Sequence, residues 1–201
     1  KMRGCVCDES AYGVHCEYLK CPSGDDPLTT GQADEVQEIF CQCGTTCSGN
    51  FRLKFKGKTS RSTISFDADA AAIEGAIESI VGIEDVTVSF HGGATAVCSD
   101  AGTSTLVTFT ELPGNLPAMR VVRSTVASTS GTTPTLVIGD AGQNGASLSS
   151  DGTKENAPCS NRGHCEPTTG MCTCETNFLS SDGRGGQGSR RDCGYIVDPS
   201  T

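Results

Sequence analysis

The sequence predicts an α+β fold that is mainly β: a central antiparallel sheet domain with one short helix, flanked by disulfide-rich segments. Three observations lead there. Apolar residues alternate through the middle of the chain, one stretch has helical spacing, and thirteen cysteines gather towards the two ends with a smaller group between them. That cysteine density in a small acidic chain points to disulfides and an oxidising compartment outside the cell.

Residues 1–20 hold the close pair Cys5-Val6-Cys7 and then Cys16. Residues 21–48 read as a loop region closed by cross-links. Cys21 and Cys41 flank Gly24-Asp25-Asp26-Pro27, and a bond between them would close that segment into a rigid loop. Cys98 is expected to meet Cys47 or Cys43, which would tie the loop after the third strand to the start of the next domain. Spacing alone does not fix these partners, and Cys43 is left unassigned.

Residues 49–150 carry the sheet. Phe51, Leu53 and Phe55 alternate with Arg52, Lys54 and Lys56, the period of a strand with one buried and one wet face. Ile64 and Phe66 repeat the pattern beyond Gly57-Lys58-Thr59, so a hairpin is expected. Asp67 is the expected N-cap of a helix in which Ala70, Ile73, Ile77 and Ile80 recur at three- and four-residue spacing until Gly82. Val86, Val88 and Phe90 alternate again, the stretch from Thr105 to Thr110 is rich in β-branched residues, and Leu136 to Ile138 offers a last strand. This order places the helix against one face of the sheet.

The stretch from Ser124 to Pro134 reads as an exposed loop or edge strand. Its Ser124, Thr125, Ser128, Thr129, Ser130, Thr132 and Thr133 have the composition that carries O-linked sugars in secreted proteins. Every asparagine fails the N-x-[ST] pattern, so covalent glycans are expected on hydroxyls or on modified proline.

Residues 151–201 contain Cys159-Ser-Asn-Arg-Gly-His-Cys165, then Cys172-Thr173-Cys174 and a more distant Cys193. Together with Cys5, Cys7 and Cys16 these resemble the EGF-like module, whose signature is a C-x-C pair, a Gly-containing loop and a final Cys. The resemblance makes Cys159 to Cys193 the second to sixth cysteines of one module, with no first cysteine nearby. It makes Cys5, Cys7 and Cys16 the fourth to sixth of another. It implies the pairs Cys7 with Cys16, Cys159 with Cys172, and Cys174 with Cys193. Cys5 and Cys165 then lack an obvious local partner. Either they cross-link between copies whose ends meet, or the chain is a segment of a longer tandem protein.

A wider resemblance rests on Cys21-Pro-Ser-Gly-Asp-Asp-Pro, the Phe51 hairpin, Asp67-Ala-Asp-Ala-Ala-Ala, Ile83-Glu-Asp-Val-Thr-Val and the closing stretch from Ser180 to Tyr195. These resemble repeat units of large secreted EGF-repeat surface and fibrous glycoproteins of stramenopile algae and oomycetes. The flagellar-hair (mastigoneme) proteins are the nearest functional analogy. The resemblance implies a structural role at the cell surface or in a secreted filament, a homopolymer of further copies of this chain, and no chemistry.

Other functions find little support. A net charge of -9 leaves no basic stripe for nucleic acid, and no apolar run is long enough for a membrane span. His15, His91 and His164 stand in unrelated contexts without H-E-x-x-H or G-x-S-x-G, and a disulfide-bonded cysteine is no nucleophile, so an enzyme is not expected. Neither a metal nor a cofactor is expected. Cys41, Cys43 and Cys47 lack a nearby His, and Asp25, Asp26 and Asp34 lack the calcium-loop rhythm and read as a capped, solvated turn. Gly183 to Gly188 reads as a flexible loop, with Arg190 and Arg191 beyond it as partners for acidic surface on a neighbouring copy.

Two readings remain. In the first, the chain is a subunit of an extracellular filament that joins head to tail through its EGF-like ends, residues 1–18 docking on residues 159–193 with help from an unpaired sheet edge. In the second, it is an adhesive or receptor ectodomain fragment that binds a ligand through the central domain.

Overall fold

Residues 5–8, 10–140 and 147–197 are described by the computed structural model. They divide into two units: one built from the described residues up to Gln32 and from Lys154 onward, the other from Ala33–Thr153, inserted between those two stretches. This differs from the four consecutive segments expected. The 21–48 region is not a linker but is split between the units, and residues 151–153 belong with the insert.

The first unit is made of short antiparallel pairs. β1 (Ala11–Tyr12) pairs with β2 (Tyr18–Leu19), and β3 (Ser23–Gly24) is answered much later in the chain by β14 (Ala157–Pro158). β15 (Gly163–Glu166) pairs with β16 (Met171–Cys174), and β17 (Phe178–Leu179) with β18 (Tyr195–Ile196). Its core is little more than cystine: Cys21, Cys159 and Cys193 are buried, with Cys165, Cys172, Cys174 and Phe178 around them. A unit with so little apolar volume depends on covalent cross-links.

The insert contains β4 (Glu35–Gln42), β5 (Cys47–Ser48), β6 (Asn50–Phe55), β7 (Lys58–Thr59), β8 (Ile64–Ser65), α1 (Ala70–Glu78), β9 (Thr87–Phe90), β10 (Thr103–Phe109), β11 (Arg120–Val122), β12 (Ala127–Ser128) and β13 (Thr135–Gly139). One sheet runs β13-β4-β10-β9. A second runs β11-β6-β7, with β8 also on β6. The result is the α+β, mainly β fold expected.

The hairpin from Phe51 forms but is broken. β6 pairs first with β7 across the Lys56-Gly57 turn and then with β8. Between them the buried Ser60 donates its N–H to the Leu53 carbonyl (2.8 Å), while its hydroxyl accepts from Leu53 N–H (3.3 Å) and donates to the Ser62 carbonyl (2.8 Å). A serine side chain thus stands in for the interrupted ladder.

The helix starts where its apolar spacing starts, but its cap is Asp69 rather than Asp67. Asp69 Oδ1 accepts the Ala72 N–H at 2.9 Å, three residues on, as an N-cap side chain does. Asp67 instead accepts from the Ser65 hydroxyl. Ile73, Ala76 and Ile77 are buried against a core that includes Phe51, Leu53, Ile64, Val88 and Phe109, and the Phe55 and Phe109 rings stack at 5.5 Å. On the helix's side, Glu74 Oε1 accepts Val88 N–H (2.8 Å) and Glu78 Oε1 accepts Val86 N–H (3.4 Å). These carboxylates take one amide of the edge strand β9 and the Val86 amide just before it, which leaves fewer free donors along that edge.

β4 is the element that sequence patterning misses. It lies between β13 and β10, and its inward residues are Glu35, Gln37, Ile39 and Cys41, all buried. Half of that face is polar, so the apolar period of a strand does not register. Gln37 is satisfied internally: its Nε2 donates to Glu35 Oε1 (3.1 Å) and the Pro117 carbonyl (3.2 Å), and its Oε1 accepts from Met119 N–H (2.8 Å).

The cysteine partners in the insert also differ from expectation. Cys41 bonds Cys98, and Cys43 bonds Cys47, in place of Cys21 with Cys41 and Cys98 with Cys47 or Cys43. The reason is positional. Gln42 bridges Ser99, and Cys43 N–H donates to the Ser99 carbonyl (3.0 Å), so the end of β4 runs directly beside the Cys98 segment.

The contrast between core and cap gives a direct check. Ile77→Ala should cost about 2–5 kcal/mol through cavity formation, whereas Asp69→Ala should cost about 1 kcal/mol. Denaturant unfolding of the two variants beside the parent should return that order.

Candidate functional site

Six disulfides use twelve of the cysteines, and Cys5 alone is free and exposed. Cys7 bonds Cys16, Cys159 bonds Cys172, and Cys174 bonds Cys193, the pairs the EGF resemblance implies. Cys165 bonds Cys21, 144 residues earlier, rather than Cys5 of another copy. Cys21 therefore occupies the place of the absent first cysteine. The module from Cys21 to Cys193 is a single six-cysteine unit interrupted between its first and second cysteines by Ala33–Thr153. Signals for this were present in the sequence: a module lacking one cysteine, and one cysteine placed just after a completed Cys7–Cys16 pair.

The two strands of chain that flank the interruption are clamped within the first unit. β3 and β14 are antiparallel, and Cys159 N–H donates to the Pro22 carbonyl at 2.9 Å. Gly24 sits so close to this junction that a Cβ would meet Ser160 Oγ and Asp192 Oδ2 at 2.5 and 2.6 Å, so a side chain is excluded there. Asp26 is not a solvated turn residue. It is 4% exposed and takes a two-point bond from Arg162, with Nε at 2.8 Å and Nη2 at 2.6 Å, while the guanidinium lies over the Phe178 ring.

Burial alone would raise the Asp26 carboxyl, but Arg162 and then the Leu28 amide hold it below the ordinary carboxylate range. Next to it Asp25 moves the other way, up to about 6, first through burial and then through Glu155. Asp25 Oδ1 accepts the Glu155 N–H (2.8 Å), and Glu155 also collects the Thr29 hydroxyl and the Gln32 amide, both at 2.9 Å. The Gly183 to Gly188 loop is likewise ordered. Asp182 Oδ1 accepts the Arg184 and Gly186 amides (2.7 and 2.9 Å), and Ser181 bridges Gln187. Arg190 Nε lies 3.6 Å from Asp192 in the same chain, so it is not held in reserve for another copy.

The Cys7–Cys16 segment rests on the six-cysteine module. Leu19, at the end of β2, donates its N–H to the Pro167 carbonyl (2.7 Å), and Gly170 in the same turn packs against the Leu19 side chain. The Tyr12 and Tyr18 rings pair across β1 and β2 at 5.4 Å.

Of the expected glycan residues, Ser124, Thr125, Thr129, Ser130, Thr132 and Thr133 are exposed and Ser128 is half-buried on β12, the strand that pairs with β5. Thr125 Oγ1 donates to the Asn50 carbonyl (3.1 Å) and Thr132 Oγ1 to the Cys43 carbonyl (3.0 Å). Ser128, Ser130 and Thr132 form a hydroxyl cluster with Thr45. His15 and His164 belong to the first unit and His91 to the insert.

Residues 153–182 match the EGF-like domain family. That stretch includes Cys159, Cys165, Cys172 and Cys174 and leaves out both Cys21 and Cys193, the cysteines that lie at the module's ends. No curated protein and no solved structure matches the chain. Among the described residues no helix is long and apolar enough to cross a membrane. The EGF-like segment and the disulfide-rich fold fit an extracellular structural or ectodomain role.

Two outcomes follow from this geometry. Removing the long cross-link with Cys21→Ser and Cys165→Ser together should destabilise the first unit by about 2–5 kcal/mol. Non-reducing peptide maps of the parent should contain a Cys21–Cys165 linked pair that the double variant lacks. The second concerns acid. Because the folded Asp26 value lies below its unfolded one, its stabilisation is complete above about pH 4 and is lost as pH falls through the folded value. Circular dichroism melts between about pH 5 and pH 2 should therefore fall less steeply in Asp26→Asn than in the parent.

Proposed function

We propose that this chain is a structural unit of an extracellular glycoprotein filament, working without catalysis. The observation that carries the reading is the seating of the Cys7–Cys16 half-module on the complete EGF-like module through Leu19 and Pro167, with Cys5 exposed and unpaired beside it. Contact of one module with the next is a joint that repeats in a series. The resemblance to secreted EGF-repeat fibrous proteins of the flagellar-hair kind supports the same role.

The joint differs from the one expected from sequence. A covalent head-to-tail polymer needs two reactive cysteines in each copy, and Cys21 has taken Cys165. With Cys5 alone free, a disulfide between copies of this chain stops at a dimer. Continuation therefore relies on Cys5 bonding a cysteine of a neighbouring module, with packing contacts carrying the remainder. Strand addition on the β9 edge would have to displace Glu74 from the Val88 amide.

The Ser124 to Thr133 band is the proposed glycan-bearing face. Thr129 and Thr133 lead it, because a sugar on Thr125 or Thr132 would take away a hydroxyl that already bonds the backbone.

Negative-stain electron microscopy of native material, before and after reduction, tests the proposal. Regular fibres that shorten on reduction are the expected result. Uniform particles of one-chain mass would overturn it and favour the ligand-binding ectodomain.

A further inference from the structure

Three acidic residues from separate stretches of the insert converge at the base of its first sheet. Glu35 opens β4, Asp140 follows the last residue of β13, and Asp151 lies on the segment that leaves the insert. One carboxylate oxygen from each lies within 4.8 Å of the others. The backbone fixes this meeting. β13 is antiparallel to β4 with Gly139 opposite Glu38, which carries Asp140 towards the Glu35 end. On the returning segment, Val36 and Ser150 exchange two N–H to carbonyl bonds of 2.9 Å, which brings Asp151 alongside Glu35. Gly152 completes the approach: a Cβ there would run into the Gly114 carbonyl and lie 3.0 Å from Glu35 N.

The three carboxylates are not equivalent. Glu35 is fully buried and oriented by donors on both oxygens, Gln37 Nε2 on Oε1 at 3.1 Å and Gly152 N–H on Oε2 at 2.7 Å. Asp151 is exposed, which gives the cluster an opening to solvent. Asp140 is 8% exposed, and its Oδ1 is shielded from water with no hydrogen-bond partner among the described residues. An acceptor buried among further acceptors, without a donor, is a costly arrangement that a cation would relieve.

We propose that Glu35, Asp140 and Asp151 bind a divalent cation of the calcium type. Hard oxygen donors suit it, and at metal–oxygen distances of about 2.3–2.6 Å no two ligands of one ion are more than roughly 4.6–5.2 Å apart, a limit that the 4.8 Å bound on this cluster meets. Further backbone or water oxygens would complete the shell. The ion would join β4, β13 and the returning segment at the point where the insert's two ends leave it. This site departs from the sequence expectation of no metal and is separate from Asp25 and Asp26, which are engaged by Glu155 and Arg162. It does not depend on the filament reading.

The test uses the full chain, stripped with a chelator and desalted, then titrated with calcium chloride in a calorimeter. One saturable equivalent is expected, with Kd on the order of 10⁻⁵ to 10⁻³ M, together with a higher melting temperature in calcium than in chelator. Asp151→Asn changes an exposed residue and should fold normally yet bind at least about tenfold more weakly. Asp25→Asn should bind as the parent does. Absence of saturable binding up to about 10 mM calcium, above the range of weak extracellular sites, would overturn the proposal. So would binding left unchanged by both Asp151→Asn and Asp140→Asn.

Discussion

The Cys21–Cys165 disulfide is the constraint on which the arrangement of this chain depends. It closes an EGF-like module across 144 residues, and it can do so only if the intervening domain returns the chain to where it left. The insert meets that condition through its own backbone. Ala33 N–H donates to Thr153 Oγ1 at 2.8 Å, and Thr153 N–H donates to the Ala33 carbonyl at 2.9 Å. A domain whose ends are hydrogen-bonded to each other can be placed in a loop of another with little disturbance to either. The host contributes the matching half, with β3 and β14 side by side and Asp26 held by Arg162.

The two units reach stability by different routes. The host has a cystine core with a single aromatic at its margin, and its remaining order comes from local hydrogen bonds around Asp26, Asp182 and Asp192. The insert has a true apolar core, with Phe51, Leu53, Ile73, Ile77 and Phe109 fully buried, and its disulfides are secondary to that packing. The host carries four disulfides around its small core, one of them spanning 144 residues, whereas the larger insert carries two, Cys41–Cys98 and Cys43–Cys47.

Much of the insert was legible because its signals are local. The Phe51 alternation, the Ile73 and Ile77 spacing and the β-branched stretch before Phe109 each declare their element within a few residues. β4 was not legible, because its inward face begins with Glu35 and Gln37, whose burial is made tolerable by distant partners such as Gly152 and Met119. The helix cap was misplaced by one helical half-turn because Asp67 and Asp69 are equally good residues for it, and only backbone geometry chooses between them. In the host, the C-x-C pairs announced the module. Its first cysteine was hidden by the insert, since nothing in spacing relates Cys21 to Cys165. The carboxylate cluster was hidden for the same reason, being assembled from positions 35, 140 and 151.

The interrupted module also sets an order of events during synthesis. Cys21 leaves the ribosome before Cys41, Cys43, Cys47 and Cys98, and well before its own partner. In an oxidising lumen a waiting thiol is exposed to exchange with any of those four. In the folded insert those four are paired with one another and buried, so none of them is left to compete for Cys21. A change that unfolds the insert would therefore put the closure of the outer module at risk as well.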